Sequence, residues 1–414
     1  MPVPSRSVRR TEPPRHLRLV RPDEALRPGP RPRPARAVAA RRTTVLLLGS
    51  TTFLVAAGLV MVLSASSVSA STRFGDPFRY FQRQAAYALV GAGALALTSR
   101  IRYPAWRRLS VPLLALTLGL LVAVLHPGAG VDAYGSSRWL SVGPVTIQPS
   151  ELAKLALVAF AAAVLTRKWG RLEQVGHLAV PLLPVLLVVG GLVMLQPDLG
   201  TTLILVGSVF AMLFAAGVRL RYLAISGAVG FVVGVALIFS ADYRRVRFLA
   251  FLDPWGDATN TGYQLVQSLI ALGSGGWWGV GLGASRQKWL YVPNAHTDFI
   301  FSILGEELGL VGEVAVLLAF ATLILAGVRV AAHAPDVFGR LLAAGIVGWF
   351  GLQTVVNLGA VTGLLPITGV PLPFVSYGGS ALVVSLAAVG ILWNIARASA
   401  GPRGEGTRPG GGGR

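Results

Sequence analysis

Long apolar runs separated by short polar breaks dominate this 414-residue chain. They fall near residues 43–66, 82–99, 109–125, 150–166, 179–195, 199–217, 222–240, 303–328, 339–363 and 378–396. At ~1.5 Å per helical residue, each covers most or all of a ~30 Å hydrocarbon core. The spacing predicts an all-α polytopic integral membrane protein with about ten transmembrane helices. Composition agrees: 53% of residues are hydrophobic and only 13% charged, about half the charge of a soluble globule.

The cations orient these spans. Arg100, Arg102, Arg107 and Arg108 follow the second run, Arg167, Lys168 and Arg171 the fourth, and Arg219 and Arg221 the sixth. Arg329 and Arg340 lie between the eighth and ninth, and Arg397 follows the tenth. Short connections on the opposite side are poorer in cations, and 364–377 has none. The positive-inside bias then puts both termini in the cytoplasm. A long extracytoplasmic loop, 241–298, falls between spans seven and eight and carries Arg244, Arg245, Arg247, Arg286 and Lys288. Long loops translocate regardless of charge, and an external cation cluster suits an anionic head group. Within the loop, Leu265, Val266, Leu269, Ile270 and Leu272 share one helical face, which predicts a short amphipathic helix over 263–274, lying in the membrane interface.

The chain ends differ from this core of residues 43–397. Residues 1–42 hold 12 arginines, three acids and nine prolines, a composition that predicts a disordered basic tail. Its position beside the first span favours a topogenic cytoplasmic tail drawn to membrane lipids over a nucleic-acid-binding arm. The first apolar run is too long for a signal peptide and no cleavage site follows it. Residues 398–414 form a second disordered cytoplasmic tail. The lack of Cys excludes disulfides and thiolate metal sites. Gly279, Gly281 and Gly283 have no βαβ context for a dinucleotide loop, and no phosphate-loop consensus for ATP is present.

Ionisable groups in or beside apolar spans are costly and usually line a pathway or a site. Glu151 and Lys154 share a helix face, either as a structural ion pair or also as part of a cavity wall. Asp198 sits at a break between two runs, either as a helix N-cap or as a site residue. Glu306 and Glu307 open the eighth span and point ~100° apart on a helix, so they are not expected to act as one pair. One of them suits the helix dipole; Glu313 follows in the same run. His296 and Asp298 stand at the mouth of that span, after Gln287 and Lys288. There Asp298 is either a helix cap or a general base for a hydroxyl nucleophile. With no second histidine nearby, His296 is not expected to bind a metal.

Several spaced motifs then converge. They are Gly135-Ser-Ser-Arg138-Trp139, Gln148-Pro-Ser-Glu151-Leu-Ala-Lys154, Gln196-Pro-Asp198-Leu-Gly200 and Tyr243-Arg244 with Arg247. Gln287-Lys288, Ala295-His-Thr-Asp298-Phe, Gly305-Glu-Glu-Leu-Gly309 and Pro373-Phe-Val-Ser376-Tyr-Gly-Gly-Ser380 follow. Across nearly all of 43–397 the chain resembles the SEDS family (shape, elongation, division and sporulation), most of all its cell-division member, with the rod-shape member second. The resemblance implies a peptidoglycan glycosyltransferase of the bacterial plasma membrane, at the division septum. It would polymerise lipid II into β-1,4 glycan by inverting transfer, with polyprenyl pyrophosphate leaving, beside a cognate class B penicillin-binding protein and other divisome membrane proteins. No nucleic-acid partner is implied.

The same resemblance makes Asp298 the base for the acceptor hydroxyl. It gives Arg138, Arg244, Arg247 and Lys288, with Gln287 and His296, to substrate binding, and Glu151, Lys154, Asp198 and Ser376 to support of the cavity. A divalent cation, Mg or Mn, would share the neutralisation of pyrophosphate, although the sequence shows no dedicated ligand set and no metal ligand is assigned. Two other functions compete: a lipid II flippase, which wants its carboxylates near the midplane, and a non-enzymatic scaffold, which should tolerate loss of Asp298.

Overall fold

The computed structural model describes residues 34–400, except 127, 129, 134–135, 144, 172–174, 290 and 294. Residues 1–33 and 401–414, most of both predicted tails, lie outside the described residues, as does Gly135. Ten long helices follow the ten apolar runs: α1 (Pro34–Phe74), α2 (Arg79–Arg100), α3 (Ala105–Leu125), α4 (Pro149–Arg167) and α5 (Val175–Met194). After these come α6 (Leu199–Ala215) and α7 (Leu220–Phe239); then, beyond two short helices, α8 (Asp242–Leu252) and α9 (Tyr263–Ser274), come α10 (Ile300–His333), α11 (Val337–Val361) and α12 (Gly379–Ala400). Seven are long and apolar enough to cross a membrane, while Val180–Met194 and Leu199–Ala215 are shorter apolar helices. The protein is an α-helical membrane protein.

Local sequence sets the helix ends. Pro34 and Pro149 occupy first helical positions, where a missing N–H costs nothing. Gly75, at φ +72°, closes α1 through its N–H to the Ser71 carbonyl at 2.9 Å; that left-handed turn favours glycine. Asp336 caps α11 by accepting the Gly339 N–H at 2.7 Å. Small residues bring helices together: a Cβ on Gly91 would strike Leu386, and one on Gly390 would strike Thr98 and the Leu95 carbonyl, so α2 and α12 pack closely. The apolar membrane-spanning stretch of α4 is 83% buried, whereas that of α7 is 0% buried, which leaves α7 at the rim of the bundle.

Four features depart from the sequence reading. The connection after α3 folds as a small antiparallel sheet, β1 (Gly130–Ala133), β2 (Ser136–Val142) and β3 (Val145–Ile147), in the order β1-β2-β3, so the chain is not wholly helical. Gly143, at φ +61°, turns the second hairpin. The amphipathic helix α9 forms where expected. However, Leu265, Val266 and Ala271 are buried, and Ser268 Oγ donates to the Val361 carbonyl at 2.7 Å. Part of its apolar face therefore packs on α10 and α11, while Ile270 stays exposed.

The 362–378 connection is a re-entrant loop. Val370, Leu372, Phe374 and Val375 are buried, and a Cβ on Gly58 of α1 would meet the Phe374 carbonyl. Irregular backbone at such depth is tolerated when protein, not lipid, surrounds it. Finally, Gly309 breaks α10 with φ 65° and ψ −168°. The 276–281 segment fills the break, since Val280 and Gly281 donate to the carbonyls of Glu306 and Glu307 at 2.9 and 3.0 Å, and Leu310 donates to Gly276 at 2.9 Å.

Candidate active site

The helix ends that close on the sheet, the re-entrant loop and the 295–299 turn come together at one end of the bundle. Asp298 lies there, half-buried, one residue before the N-cap Phe299 of α10. Three donors fix the backbone around it. Asn357 Nδ2 donates to the Asp298 carbonyl at 2.9 Å and to the Val370 carbonyl at 2.8 Å. Ser376 Oγ donates to the Thr297 carbonyl at 2.6 Å while accepting the Leu372 N–H at 2.8 Å. The Tyr377 N–H donates to the His296 carbonyl at 2.9 Å. Ser376 thus supports the site by tying the re-entrant loop to the residue before the carboxylate.

Burial raises the Asp298 carboxyl from its ordinary 3.8 to about 6, while Arg247 and then Arg138 pull it down and Asp198 pushes it up. The carboxylate is consequently poised near neutrality, as a general base requires. Asp198 bears out its reading as a helix cap. It caps α6, its Oδ1 accepting the Thr201 N–H at 3.0 Å and its Oδ2 the Thr201 hydroxyl at 2.8 Å, and its charge also reaches Asp298.

Arg138, on β2, donates from Nε to the Gln196 carbonyl at 2.9 Å and from Nη2 to the Pro197 carbonyl at 2.8 Å. It staples the sheet to the α5–α6 turn while lending its charge to Asp298. Arg244 is half-buried and donates to the Leu237 carbonyl at 2.9 Å, whereas Arg247, one turn along α8, is exposed.

His296 is held among rings, 4.6 Å from Tyr80 and 5.6 Å from Tyr377 between centroids. Burial, helped by Arg73, lowers its pKa to about 4, so the imidazole is neutral near pH 7 and supplies shape and hydrogen bonding instead of positive charge. Burial raises the Tyr377 phenol, and Arg83 offsets this by charge and a hydrogen bond.

Glu151 and Lys154 form a buried pair, with Nζ 2.9 Å from Oε1 and 2.8 Å from Oε2. Lys154 also donates to Gln353 Oε1 at 2.9 Å, and Gln353 Nε2 donates to the Pro371 carbonyl at 2.8 Å. The pair therefore braces the re-entrant loop through one amide.

Gln287 and Lys288 are placed otherwise than expected. Lys288 is buried, with Nζ 3.6 Å from Glu307 Oε1, 3.5 Å from Ser64 Oγ and bonded to the Gly283 carbonyl. Glu306 Oε2 accepts the Gln287 N–H at 3.3 Å, and its Oε1 accepts that of Arg286 at 2.9 Å. Both glutamates face the loop because it wraps the start of α10; their ~100° offset on the helix is no obstacle. A partner from α1 and an acid 19 residues downstream thus claim the Lys288 charge that was expected on pyrophosphate.

Residues missed in the sequence include Asn357 and Gln353, four apart on α11, and Gln84 on α2. Gln84 donates to the Ser376 carbonyl and accepts the Gly378 N–H, both at 3.2 Å. Their signal was an amide inside an apolar run, costly unless it has partners. Gly369, at φ +72°, backs the carboxylate: a Cβ there would stand 3.6 Å from Asp298 Oδ2. Gly369→Ala is expected to cost about 1–2 kcal/mol from the left-handed backbone, read as a lower unfolding temperature in lipid nanodiscs. Among the described residues, no group of three or more His, Asp or Glu is gathered to hold a metal.

With this geometry in view, the protein is a polytopic membrane protein with a polar, carboxylate-bearing site where its loops converge. A family model for cell cycle proteins, FTSW_RODA_SPOVE, matches residues 44–401, and the chain belongs to that family, the SEDS proteins. It is 47% identical over 343 residues to a probable peptidoglycan glycosyltransferase FtsW of Geobacter metallireducens, covering 82% of this chain and 90% of the relative. It is 43% identical over 355 residues to stage V sporulation protein E of Bacillus subtilis, covering 86% and 97%. Among solved structures, a chain of a peptidoglycan synthase complex superposes with TM-score 0.68 at 32% identity, covering 84% of this chain and 97% of that one. The crystal structure of Thermus thermophilus rod shape determining protein RodA gives 0.64 at 31%, covering 85% and 95%.

Proposed function

We propose that the protein is a peptidoglycan glycosyltransferase that polymerises lipid II, and that Asp298 is its general base. The observation that carries this reading is a carboxylate at the end of the bundle whose backbone Asn357 and Ser376 hold in place, within reach of the charges of Arg247 and Arg138. Ionised Asp298 takes the proton of the acceptor hydroxyl as the sugar oxygen attacks the anomeric carbon of the donor. The bond to polyprenyl pyrophosphate breaks on the opposite face, so a single displacement inverts an α-linked donor into a β-linked product. Arg247 and Arg244 supply positive charge where negative charge grows on the leaving group. A magnesium or manganese ion carried in with the substrate phosphates would share that neutralisation; among the described residues no group of three or more His, Asp or Glu is gathered to hold one.

In this reading both termini lie in the cytoplasm and the site on the outer face of the plasma membrane, with ten spans in all; the positive-inside loops support it. Similarity to FtsW relatives and to a synthase-complex chain supports a septal role beside a class B penicillin-binding protein. Asp198 and Asp298 precede their helices and so stand at span ends, which favours surface chemistry over passage of lipid II through the bundle. The deciding experiment is the protein co-reconstituted with its class B partner and given purified lipid II. Glycan polymer is expected; lipid II translocation without polymer would overturn the reading.

The charges around Asp298 set its pH response. Activity is expected to rise with pH through a midpoint near 6, since the base works ionised. Arg247→Gln removes a charge that favours the anion, so the limb should move to higher pH. Asp198→Asn keeps a capping side chain but removes a repulsion, so the limb should move to lower pH. Polymerisation rates from pH 5 to 8 in nanodiscs check both directions.

A further inference from the structure

The segment that fills the break in α10 carries an unusual surface. Trp277 and Trp278 are 70% and 82% exposed, and Val280, Leu282, Trp289 and Tyr291 are also exposed. Six large apolar or aromatic side chains within fifteen residues would be a costly patch in water. The backbone fixes their height. Leu310 and Val311 donate to the carbonyls of Gly276 and Trp277, so Trp277 and Trp278 lie level with the Gly309 break. Below the break, residues 310–333 remain helical and measure about 36 Å at ~1.5 Å per residue, enough alone to cross a ~30 Å core. The part of α10 after Gly309 is thus long enough to span the bilayer without the turns before it.

A second observation agrees. Ser64 of α1 donates to Glu307 Oε1 at 2.6 Å, and below Ser64 α1 exposes Val60, Phe53, Leu46 and Val45. Leu282 reaches down to line an apolar groove with Phe53 and Val60 of α1 and Leu304 and Leu308 of α10. The apolar side chains of the loop therefore run without interruption into the lipid-facing surface of the bundle. Arg286 is exposed among them, a cation suited to a lipid phosphate.

We propose that residues 275–289, with Tyr291, are a membrane-interface anchor, with the tryptophans and Tyr291 seated among lipid head groups and Leu282 in the acyl region. Trp and Tyr favour that layer because their rings are apolar and their N–H or O–H groups stay wet. The partner is the lipid bilayer itself. The amphipathic helix α9 was expected to make this contact; it packs Leu265 and Val266 into the protein, and the next segment offers the larger exposed apolar surface. The anchor fixes the height above the membrane of the turn that ends at Asp298.

The chain contains no Cys, so single cysteines can be labelled in the full-length protein. Trp278→Cys, Leu282→Cys and, as a water-facing control, Thr259→Cys would carry nitroxide labels in nanodiscs of phosphatidylethanolamine and phosphatidylglycerol. Collisions with oxygen, which partitions into lipid, are compared with those of a water-soluble nickel chelate. The oxygen-to-nickel ratio is expected to be several-fold higher at 278 and 282 than at 259. Equal ratios at the three positions, or nickel-dominated collisions at 278 and 282, would overturn the anchor. If a label perturbs the loop, native fluorescence decides: brominated lipids should quench the wild type more than Trp277→Phe/Trp278→Phe. Equal fractional quenching in the two proteins would also overturn it. Neither readout needs glycosyltransferase activity, so failure of the anchor and failure of the proposed function are told apart.

Discussion

Asn in place of Asp298 is expected to leave a folded, inserted protein that makes glycan about 10²–10⁴-fold more slowly, the usual contribution of a positioned general base. The backbone carbonyl of Asp298, not its carboxylate, accepts from Asn357, so the scaffold around the residue should survive the change. The loss should appear in kcat, with KM for lipid II little altered, because the proton leaves the acceptor only as the new bond forms. Thermal unfolding in nanodiscs controls for folding and should match the wild type or exceed it. The sign follows from the pKa: raised to about 6, the carboxyl is disfavoured as an anion in the folded state, and a neutral amide avoids that cost above pH 6. Wild-type rates in Asp298→Asn would end the assignment.

The second large effect concerns the buried pair beneath the re-entrant loop. Lys154 and Glu151 are 1% and 2% exposed, and neither charge has water to fall back on. Lys154→Met is expected to cost about 3–5 kcal/mol, the usual penalty for leaving one member of a buried ion pair alone. The double change Glu151→Gln/Lys154→Met should recover most of that loss, since two apolar or neutral groups of similar size replace such a pair at little cost. Activity should not recover in parallel. Lys154 Nζ also holds Gln353 Oε1, and Gln353 holds the Pro371 carbonyl, so without Lys154 the loop beside Asp298 loses its brace. A double variant with wild-type stability and wild-type rate would show that the pair acts only in folding.

Much of the site was legible before the fold was known, but unevenly. Asp298 and His296 stood out because two ionisable groups at the mouth of an apolar run need a reason. Asp198 offered two readings: the cap is seen in its bonds to Thr201, and its charge also acts on Asp298, 100 residues away in sequence. Lys288 was misread for the opposite reason. Its charge looked free in a loop, yet its partners are Ser64 and Glu307, residues that no spacing rule connects to it. His296 was expected to bind substrate, and the fold adds that burial beside the rings of Tyr80 and Tyr377 keeps it neutral near pH 7. The amides Gln84, Gln353 and Asn357 were passed over as ordinary members of apolar runs.

The sequence by itself determined the helical membrane architecture, the order of the helices and the family. Hydrocarbon allows no unpaired backbone, so runs of apolar residues leave almost no choice but helices. It also determined several helix ends, where Pro34, Asp198 and Asp336 act on neighbours one turn away. Tertiary structure alone decided which polar groups meet, because those meetings join distant segments: Ser64 with Glu307, Gln84 with Ser376, Asn357 with Asp298. It alone decided that α10 breaks at Gly309, since the carbonyls and amides freed there are satisfied only by the 276–281 loop. A buried polar group must find a partner, but which partner depends on packing that local sequence does not encode.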